Sequence, residues 1–188
     1  MRIIWMRSWA MVVAGILVVT TVGCARSPEE SAVGFVRQLG GRAASIRRLD
    51  LAHTVVTDAD LAELAALGGG ALAAVEELDL THTRITDSGL AVMPSFPGLK
   101  KLSLTLTGVT GAGLSALMSL RHLTDLYLIE TAIDDDAVDP LSRLTPLRRL
   151  VLLRTALSDA GIGRLRQALP ETLIQIEPAA TRARRAAR

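Results

Sequence analysis

The sequence predicts an α/β solenoid in which short parallel strands line a concave face and helices line the convex face. First, residues 78–90 (LDLTHTRITDSGL) are a near-copy of residues 49–61 (LDLAHTVVTDADL). Second, leucine pairs of the form LxL recur at intervals of 29 and then 24 residues. Third, 49% of the 188 residues are hydrophobic but only 3% are aromatic, a composition that suits one domain with an aliphatic core.

The first 23 residues are predicted to be a signal peptide. Two arginines precede an apolar stretch at about residues 9–22, and the segment closes on small residues before Cys24, the single cysteine. This stretch is shorter than the ~20 residues that a helix needs to cross a bilayer. The segment TVGC resembles the lipobox of bacterial lipoproteins, which implies that Cys24 is acylated and becomes the new amino terminus. The prediction is an extracytoplasmic lipoprotein, anchored to a membrane of the bacterial cell envelope. A signal peptide with an incidental cysteine and an uncleaved anchor are the alternatives.

Cysteine content and charge exclude several classes of protein. One cysteine excludes an intrachain disulfide framework and a multi-thiolate metal site. The formal net charge is +2, but two arginines lie in the predicted signal peptide and four in the tail at residues 179–188, so the rest of the chain has 15 basic against 19 acidic residues. No nucleic-acid partner is therefore predicted. The tail is predicted to be disordered and solvated, and contact of its arginines with anionic lipid or cell-wall polymer is the alternative.

A short tether at residues 24–27 is predicted to lead into an N-terminal capping helix and lead-in at residues 28–45. Ser27 is a suitable N-cap, Pro28 suits the first helical position, and two glycines end the pattern, so we expect a helix over residues 28–39. Its apolar side chains would cover the open end of the core, as the terminal element of a solenoid must.

Residues 46–178 are predicted to form five repeats and a partial sixth. In each unit the LxL alternation predicts a short strand with its leucines on one face. A threonine, an apolar residue, a helix cap and a helical leucine pattern follow. A unit of about 24 residues is too small to bury its own leucines, so neighbouring units must stack. The first leucine positions of the strands are Leu49, Leu78, Leu102, Leu126, Leu150 and Ile174.

Three local departures from the repeat predict irregularities on the convex side. The first unit is longer and contains three glycines at residues 68–70, which predict a loop. Two prolines limit the second helix to about residues 87–93. In the fourth unit three aspartates suit a helix start, and Pro140 is predicted to break the turn that follows.

The pattern LxxLxLxxTxITDxGLxxL resembles the leucine-rich repeat family over about residues 46–176, specifically its cysteine-containing, ribonuclease-inhibitor-like subtype. The resemblance implies a right-handed leucine-rich repeat solenoid. Threonine occupies the position at which the family has asparagine or cysteine. A hydroxyl turned inward there can satisfy backbone groups where the chain bends after the strand. These structural threonines are Thr54, Thr83, Thr107, Thr131 and Thr155.

Strand alternation also leaves the non-leucine residues of each strand facing the concave side. Near the C-terminal end of the repeats these residues are apolar with a charged border, which is typical of an anchor patch for a protein partner. Tyr127, the only tyrosine, is the strongest hot-spot candidate. The predicted partner-binding residues are Leu106, Tyr127, Ile129, Glu130, Arg149, Val151, Leu153 and Arg154. The alternatives are that residues after the last repeat cover this patch, or that the alternation slips in the segment LVLLRT and buries Val151.

The predicted function is a non-catalytic protein–protein interaction module that binds an unidentified protein as a monomer. The sequence has no Ser/His/Asp set, Cys/His pair or phosphate-binding glycine loop, so no catalytic residue and no cofactor are predicted. One alternative is a structural envelope protein that self-associates or contacts cell-wall polymer. Another is a metal-dependent hydrolase, because His53 and His82 occupy equivalent positions in adjacent units with Asp50 or Asp79 nearby.

Overall fold

The computed structural model describes residues 27–177. The predicted signal peptide at residues 1–23, the predicted lipid attachment at Cys24 and the predicted basic tail at residues 179–188 lie outside the described residues. Seven strands form a single sheet whose order follows the chain. No helix of the described part is long and apolar enough to span a membrane.

Six of the seven strands are parallel and in register. The strands are β1 (Arg42–Ser45), β2 (Arg48–Asp50), β3 (Glu77–Asp79), β4 (Lys101–Ser103), β5 (Asp125–Tyr127), β6 (Arg149–Leu152) and β7 (Leu173–Ile176). From β2 to β7, each strand leucine lies beside the leucine or isoleucine of the next unit. The predicted α/β solenoid with a parallel sheet is therefore confirmed. β1 was not predicted: it pairs with β2 in the antiparallel direction, and only Ala43 of its four residues is buried.

Except for the first helix, which precedes β1, the helices lie between the strands along the chain, and they differ in length and type. The α-helices are α1 (Pro28–Gln38), α2 (Asp58–Gly68), α3 (Asp87–Leu90), α4 (Val138–Ser142) and α5 (Asp159–Ala168). The 3-10 helices are Gly69–Ala74, Met93–Ser95, Gly111–Ser119 and Asp135–Ala137. A capping box opens α1, because the Ser27 hydroxyl accepts from the Glu30 N–H at 3.1 Å and the Glu30 carboxylate accepts from the Ser27 N–H at 3.2 Å. Ala32 and Val36 of α1 are fully buried in the core, so α1 covers its N-terminal end.

Two local predictions on the convex side are wrong. The glycines at residues 68–70 do not form a loop, because α2 continues to Gly68 and a 3-10 helix follows, held by the fully buried Leu72. Pro140 does not break the turn but lies inside α4. It is the third residue of that helix, where a backbone N–H has no intrahelical acceptor to lose.

A continuous aliphatic core runs through all the repeats. The first leucine of each strand from β2 to β6 is at most 1% exposed. At the end of each strand the threonine position turns inward: four of the five threonines are buried, and Thr54 is half-buried. The hydroxyls of Thr83 and Thr107 each donate to the carbonyl three residues earlier at 2.7 Å. They satisfy a backbone acceptor at a bend where no strand partner is available.

The residue before each of these threonines has a left-handed backbone. Residues other than glycine rarely adopt a positive φ. In all five repeat units, however, the residue at this position has a positive φ. The residues are His53, His82, Leu106, Glu130 and Arg154, with φ between 54° and 59°. The sharp bend that ends each strand is therefore set by the repeat as a whole, and three of the predicted partner-binding residues lie on it.

Adjacent repeats are linked by three aspartates, which we call the inter-repeat carboxylates (Asp58, Asp87 and Asp135). Asp58 accepts from the N–H of Thr86 at 2.8 Å and from its hydroxyl at 2.5 Å. Asp87 and Asp135 make the same pair of bonds to the N-cap residue of the next unit. The N-cap residue that bonds to Asp135 is Ser158. Its hydroxyl and its N–H lower the pKa of Asp135, because both hydrogen bonds favour the charged carboxylate.

The glycine of each TDxGL-type motif provides room for the carboxylate of the preceding unit. A Cβ at Gly89, Gly113 or Gly161 would lie within 2.3–2.4 Å of an aspartate oxygen. The third and fourth units differ in a complementary way: Gly111 replaces the aspartate, and Ala137 replaces the glycine. A Cβ at Gly111 would be 2.9 Å from the backbone nitrogen of Ala137. The methyl group of one unit thus takes the space left by the missing carboxylate of the other.

Candidate functional site

Two rows of side chains cross the sheet on the concave face. The row inside the leucine pairs is Asp50, Asp79, Ser103, Tyr127, Val151 and Gln175. The row that precedes the leucines is Arg48, Glu77, Lys101, Asp125, Arg149 and Leu173. Charge alternates along this second row until the leucine of β7. Two neighbouring pairs form ion pairs, Arg48 with Glu77 at 2.7 Å and Arg149 with Asp125 at 3.5 Å. The middle of the face, around Tyr127, is where aromatic and aliphatic side chains come together.

The Tyr127 side chain is held by two cations. Lys101 Nζ lies 5.5 Å from the centroid of its ring, and Arg149 Nη1 donates to its hydroxyl oxygen at 3.3 Å. Arg149 Nε also lies 3.5 Å from Asp125 Oδ1. The bond to the Tyr127 hydroxyl, followed by the charge of Asp125, raises the pKa of Arg149. The half-buried ring is therefore restrained before any partner binds. Sequence reasoning missed Lys101, because its contact with the ring depends on the register between β4 and β5.

The prediction that Val151 is exposed is wrong, since only 3% of it is accessible. Val151 is absent from the main hydrophobic core, and the register places it between Tyr127 and Gln175 on the neighbouring strands. A short side chain flanked by two longer ones is covered even though it faces outward. Ile129 and Leu153 are half-buried and Leu106 is 40% exposed.

The accessible apolar residues form one surface across three units, which we call the concave patch. Its members are Leu106, Tyr127, Ile129 and Leu153. Backbone bonds join these units at the bend, from the Leu106 N–H to the Ile129 carbonyl at 2.8 Å and from the Glu130 N–H to the Leu153 carbonyl at 2.9 Å. At the border, Arg154 Nη1 donates to Glu130 Oε1 at 2.5 Å. The structure thus brings seven of the eight predicted residues to an accessible surface, with Val151 beneath it.

The two equivalent histidines lie close together. The ring centroids of His53 and His82 are 5.3 Å apart. The aspartates that could complete a metal site have other partners: Asp50 accepts from the Ala52 N–H at 3.1 Å, and Asp79 accepts from the Thr81 N–H at 2.9 Å. Within residues 27–177, no group of three or more His, Cys, Asp or Glu side chains is placed to hold a metal ion. The geometry of the histidine pair does not favour the hydrolase alternative.

Comparison with known families supports the resemblance seen in the repeat pattern. The family model described as "Leucine Rich repeat" matches residues 75–93 and 99–118. Two units of the chain match the leucine-rich repeat family. These units contain β3 and β4, and the parallel register of the sheet extends the same architecture from β2 to β7. The fold is an α/β leucine-rich repeat solenoid.

Several solved structures are similar to the chain at low identity. A leucine-rich repeat protein of Leptospira interrogans is 22% identical, with a TM-score of 0.44, over 54% of this chain and 25% of that one. An internalin of Listeria monocytogenes is 18% identical, with a TM-score of 0.41, over 57% of this chain and 36% of that one. A second Listeria monocytogenes internalin is 19% identical, with a TM-score of 0.36, over 82% of this chain and 88% of that one. The aligned region spans a quarter of the first protein and about a third of the second. No curated protein matches the chain.

Proposed function

We propose that the protein is a non-catalytic interaction module that binds a protein partner through the concave patch while a lipid on Cys24 holds it at the bacterial cell envelope. The observation that carries the proposal is the patch itself, in which one restrained aromatic ring and three aliphatic side chains share a face with a charged border. An apolar centre with a polar rim is the usual anatomy of a protein interface. The match to the leucine-rich repeat family also favours an interaction module.

The restraint on Tyr127 suits it to act as an anchor. A side chain that is already fixed loses less conformational freedom when a partner covers it. Lys101 and Arg149 hold the ring from two sides, and an apolar group of the partner would pack against the ring and Ile129. The Glu130–Arg154 ion pair at the border would orient the partner more than it would strengthen binding, because exposed ion pairs contribute little free energy.

Replacement of Tyr127 with alanine is expected to weaken capture of the partner by about 5- to 30-fold, which corresponds to the ~1–2 kcal/mol lost when a hot-spot ring is truncated. Capture from envelope extract would be quantified by mass spectrometry, and circular dichroism would check folding. Arg48→Ala is the matched control, because Arg48 lies on the same face three strands away and is exposed. Equal capture by the wild-type protein and Tyr127→Ala would contradict the proposed role of the patch.

Acylation at Cys24 is a separate expectation, since TVGC closes the apolar stretch of the predicted signal peptide. In a bacterial host, intact mass spectrometry should show a lipid-modified amino terminus that begins at Cys24, and the membrane fraction should contain the protein. The Cys24→Ser variant should lose the lipid. A chain that keeps Met1, or one cleaved at another residue, would show that the anchor is assigned incorrectly.

A further inference from the structure

His53 and His82 occupy the same position in adjacent repeats and share one backbone conformation. Their φ angles are 59° and 54°. The His53 N–H donates to the Thr81 carbonyl and the His82 N–H donates to the Thr105 carbonyl, each at 2.8 Å. Equivalent residues on neighbouring strands lie about 4.8 Å apart. The two imidazoles therefore leave the bend side by side, because the same backbone bonds fix both residues.

The ring nitrogens of this histidine pair are available to a ligand. Both residues are exposed. Within residues 27–177 the two rings contact each other, but none of their nitrogens hydrogen-bonds to another protein group. A neutral imidazole has one nitrogen that is free to act as an acceptor or a metal ligand. Because an exposed ring can turn about its χ2 angle without moving the backbone, one such nitrogen of each ring can face the same point.

The distance between the rings suits one shared metal ion. Their centroids are 5.3 Å apart. Two imidazole nitrogens that bind one ion at about 2.0–2.1 Å in a tetrahedral arrangement hold their ring centroids at about 5 Å from each other. The pair therefore needs side-chain rotation, and no shift of the strands, to bind an ion. Packing of the two rings alone fits the same distance, and metal titration separates the two explanations.

The ligand set selects the class of ion. Imidazole nitrogens favour Cu²⁺, Ni²⁺ and Zn²⁺, whereas Mg²⁺ and Ca²⁺ require oxygen ligands. Asp50 and Asp79 bond to backbone N–H groups of their own strands, so the protein supplies two nitrogens. We propose that His53 and His82 together bind one divalent late first-row transition-metal ion, with Cu²⁺ bound most tightly. Water completes the coordination sphere, so the ion is exchangeable, in contrast to the closed four-ligand sites that stabilise folds.

Asparagine variants test the site, because asparagine lacks the imidazole but tolerates a left-handed backbone. The parent protein is the full chain carrying Cys24→Ser, which removes a competing thiol. Titration calorimetry with CuCl₂ should show one ion bound by the pair. His53→Asn and His82→Asn should each raise the dissociation constant at least tenfold, because either change removes a ligand that binds intramolecularly. His122→Asn, at the third and also exposed histidine, is the matched control and should leave the affinity unchanged. Equal affinity in all four proteins would overturn the proposal.

Pulsed electron paramagnetic resonance of the Cu²⁺ complex provides a second measurement, because it counts the imidazoles that bind the ion. We expect two in the Cys24→Ser chain and one in His53→Asn or His82→Asn. Tyr127→Ala should keep both, which separates this site from partner binding at the concave patch. Circular dichroism would check that each variant is folded. A single imidazole in the Cys24→Ser chain, or a spectrum that His82→Asn leaves unchanged, would show that the two rings pack together without sharing an ion.

Discussion

Replacement of Gly113 with alanine is expected to lower the free energy of unfolding by about 1–3 kcal/mol, the usual cost of overpacking a tight interior. A Cβ at this position would lie 2.4 Å from Oδ1 of Asp87 and 2.9 Å from its Cα. The carboxylate could rotate away only by losing its bonds to Thr110, and the Cα cannot move without the backbone. Urea unfolding followed by circular dichroism would measure the loss.

A compensating variant makes this expectation specific. Asp87→Gly together with Gly113→Ala reproduces the pair that the chain already uses at Gly111 and Ala137. It removes the contact with the Asp87 carboxylate but keeps the 2.9 Å contact with the Cα, so the double variant should recover part of the stability that Gly113→Ala loses. Gly163→Ala is the control, because a Cβ there meets nothing within 4 Å in α5 and should be neutral or slightly stabilising. If the double variant were no better than the single one, the complementary fit between units would be wrong.

Replacement of Thr107 with valine should cost a similar ~1–3 kcal/mol, because the substitution keeps the shape but removes the donor to a buried carbonyl. Thr107 is 9% exposed, and its hydroxyl donates to the Leu104 carbonyl at 2.7 Å. The free energy of unfolding from urea titration would report the change.

Thr105→Val is the matched control two residues away. The Thr105 side chain is half-buried on the concave side. Its hydroxyl accepts a long hydrogen bond, 3.4 Å, from the Ser103 hydroxyl. We expect a change within about 0.5 kcal/mol there, as for most surface substitutions. Equal losses in the two variants would mean that the inward threonines do not support the bend.

The sequence predicted the repeat architecture because the units share a period. Alternation placed Leu102 and Leu126 in the core, where both are fully buried. The left-handed bend was not predictable in the same way, because histidine, leucine, glutamate and arginine all occupy it. Its backbone angle comes from the stacking of units and the inward threonine rather than from the residue itself. β1 was not predicted, because its residues Arg42–Ser45 lack the alternation of apolar and polar residues that is typical of a strand.

The sequence predicts on which face of the sheet each residue of the candidate site lies, but it does not predict how exposed each side chain is. Alternation correctly directs Val151 away from the core, yet its burial depends on the lengths of Tyr127 and Gln175 on adjacent strands. The inter-repeat carboxylates show the same limit. From sequence, Asp135 is only a favourable charge at a helix start, whereas its bonds to Ser158 require the position of the next unit.

The inter-repeat carboxylates also give the fold a direction. In all three contacts between residues 27 and 177, the aspartate belongs to the earlier unit and the N-cap donor to the later one. As the chain is synthesised from its amino terminus, each acceptor is in place before its donor emerges from the ribosome. Removal of units from the C-terminal end leaves every remaining cap intact. Removal of the first unit takes the acceptor Asp58 from Thr86, whereas removal of the last unit takes the donor Ser158 from Asp135, so truncation leaves a different group without its partner at each end.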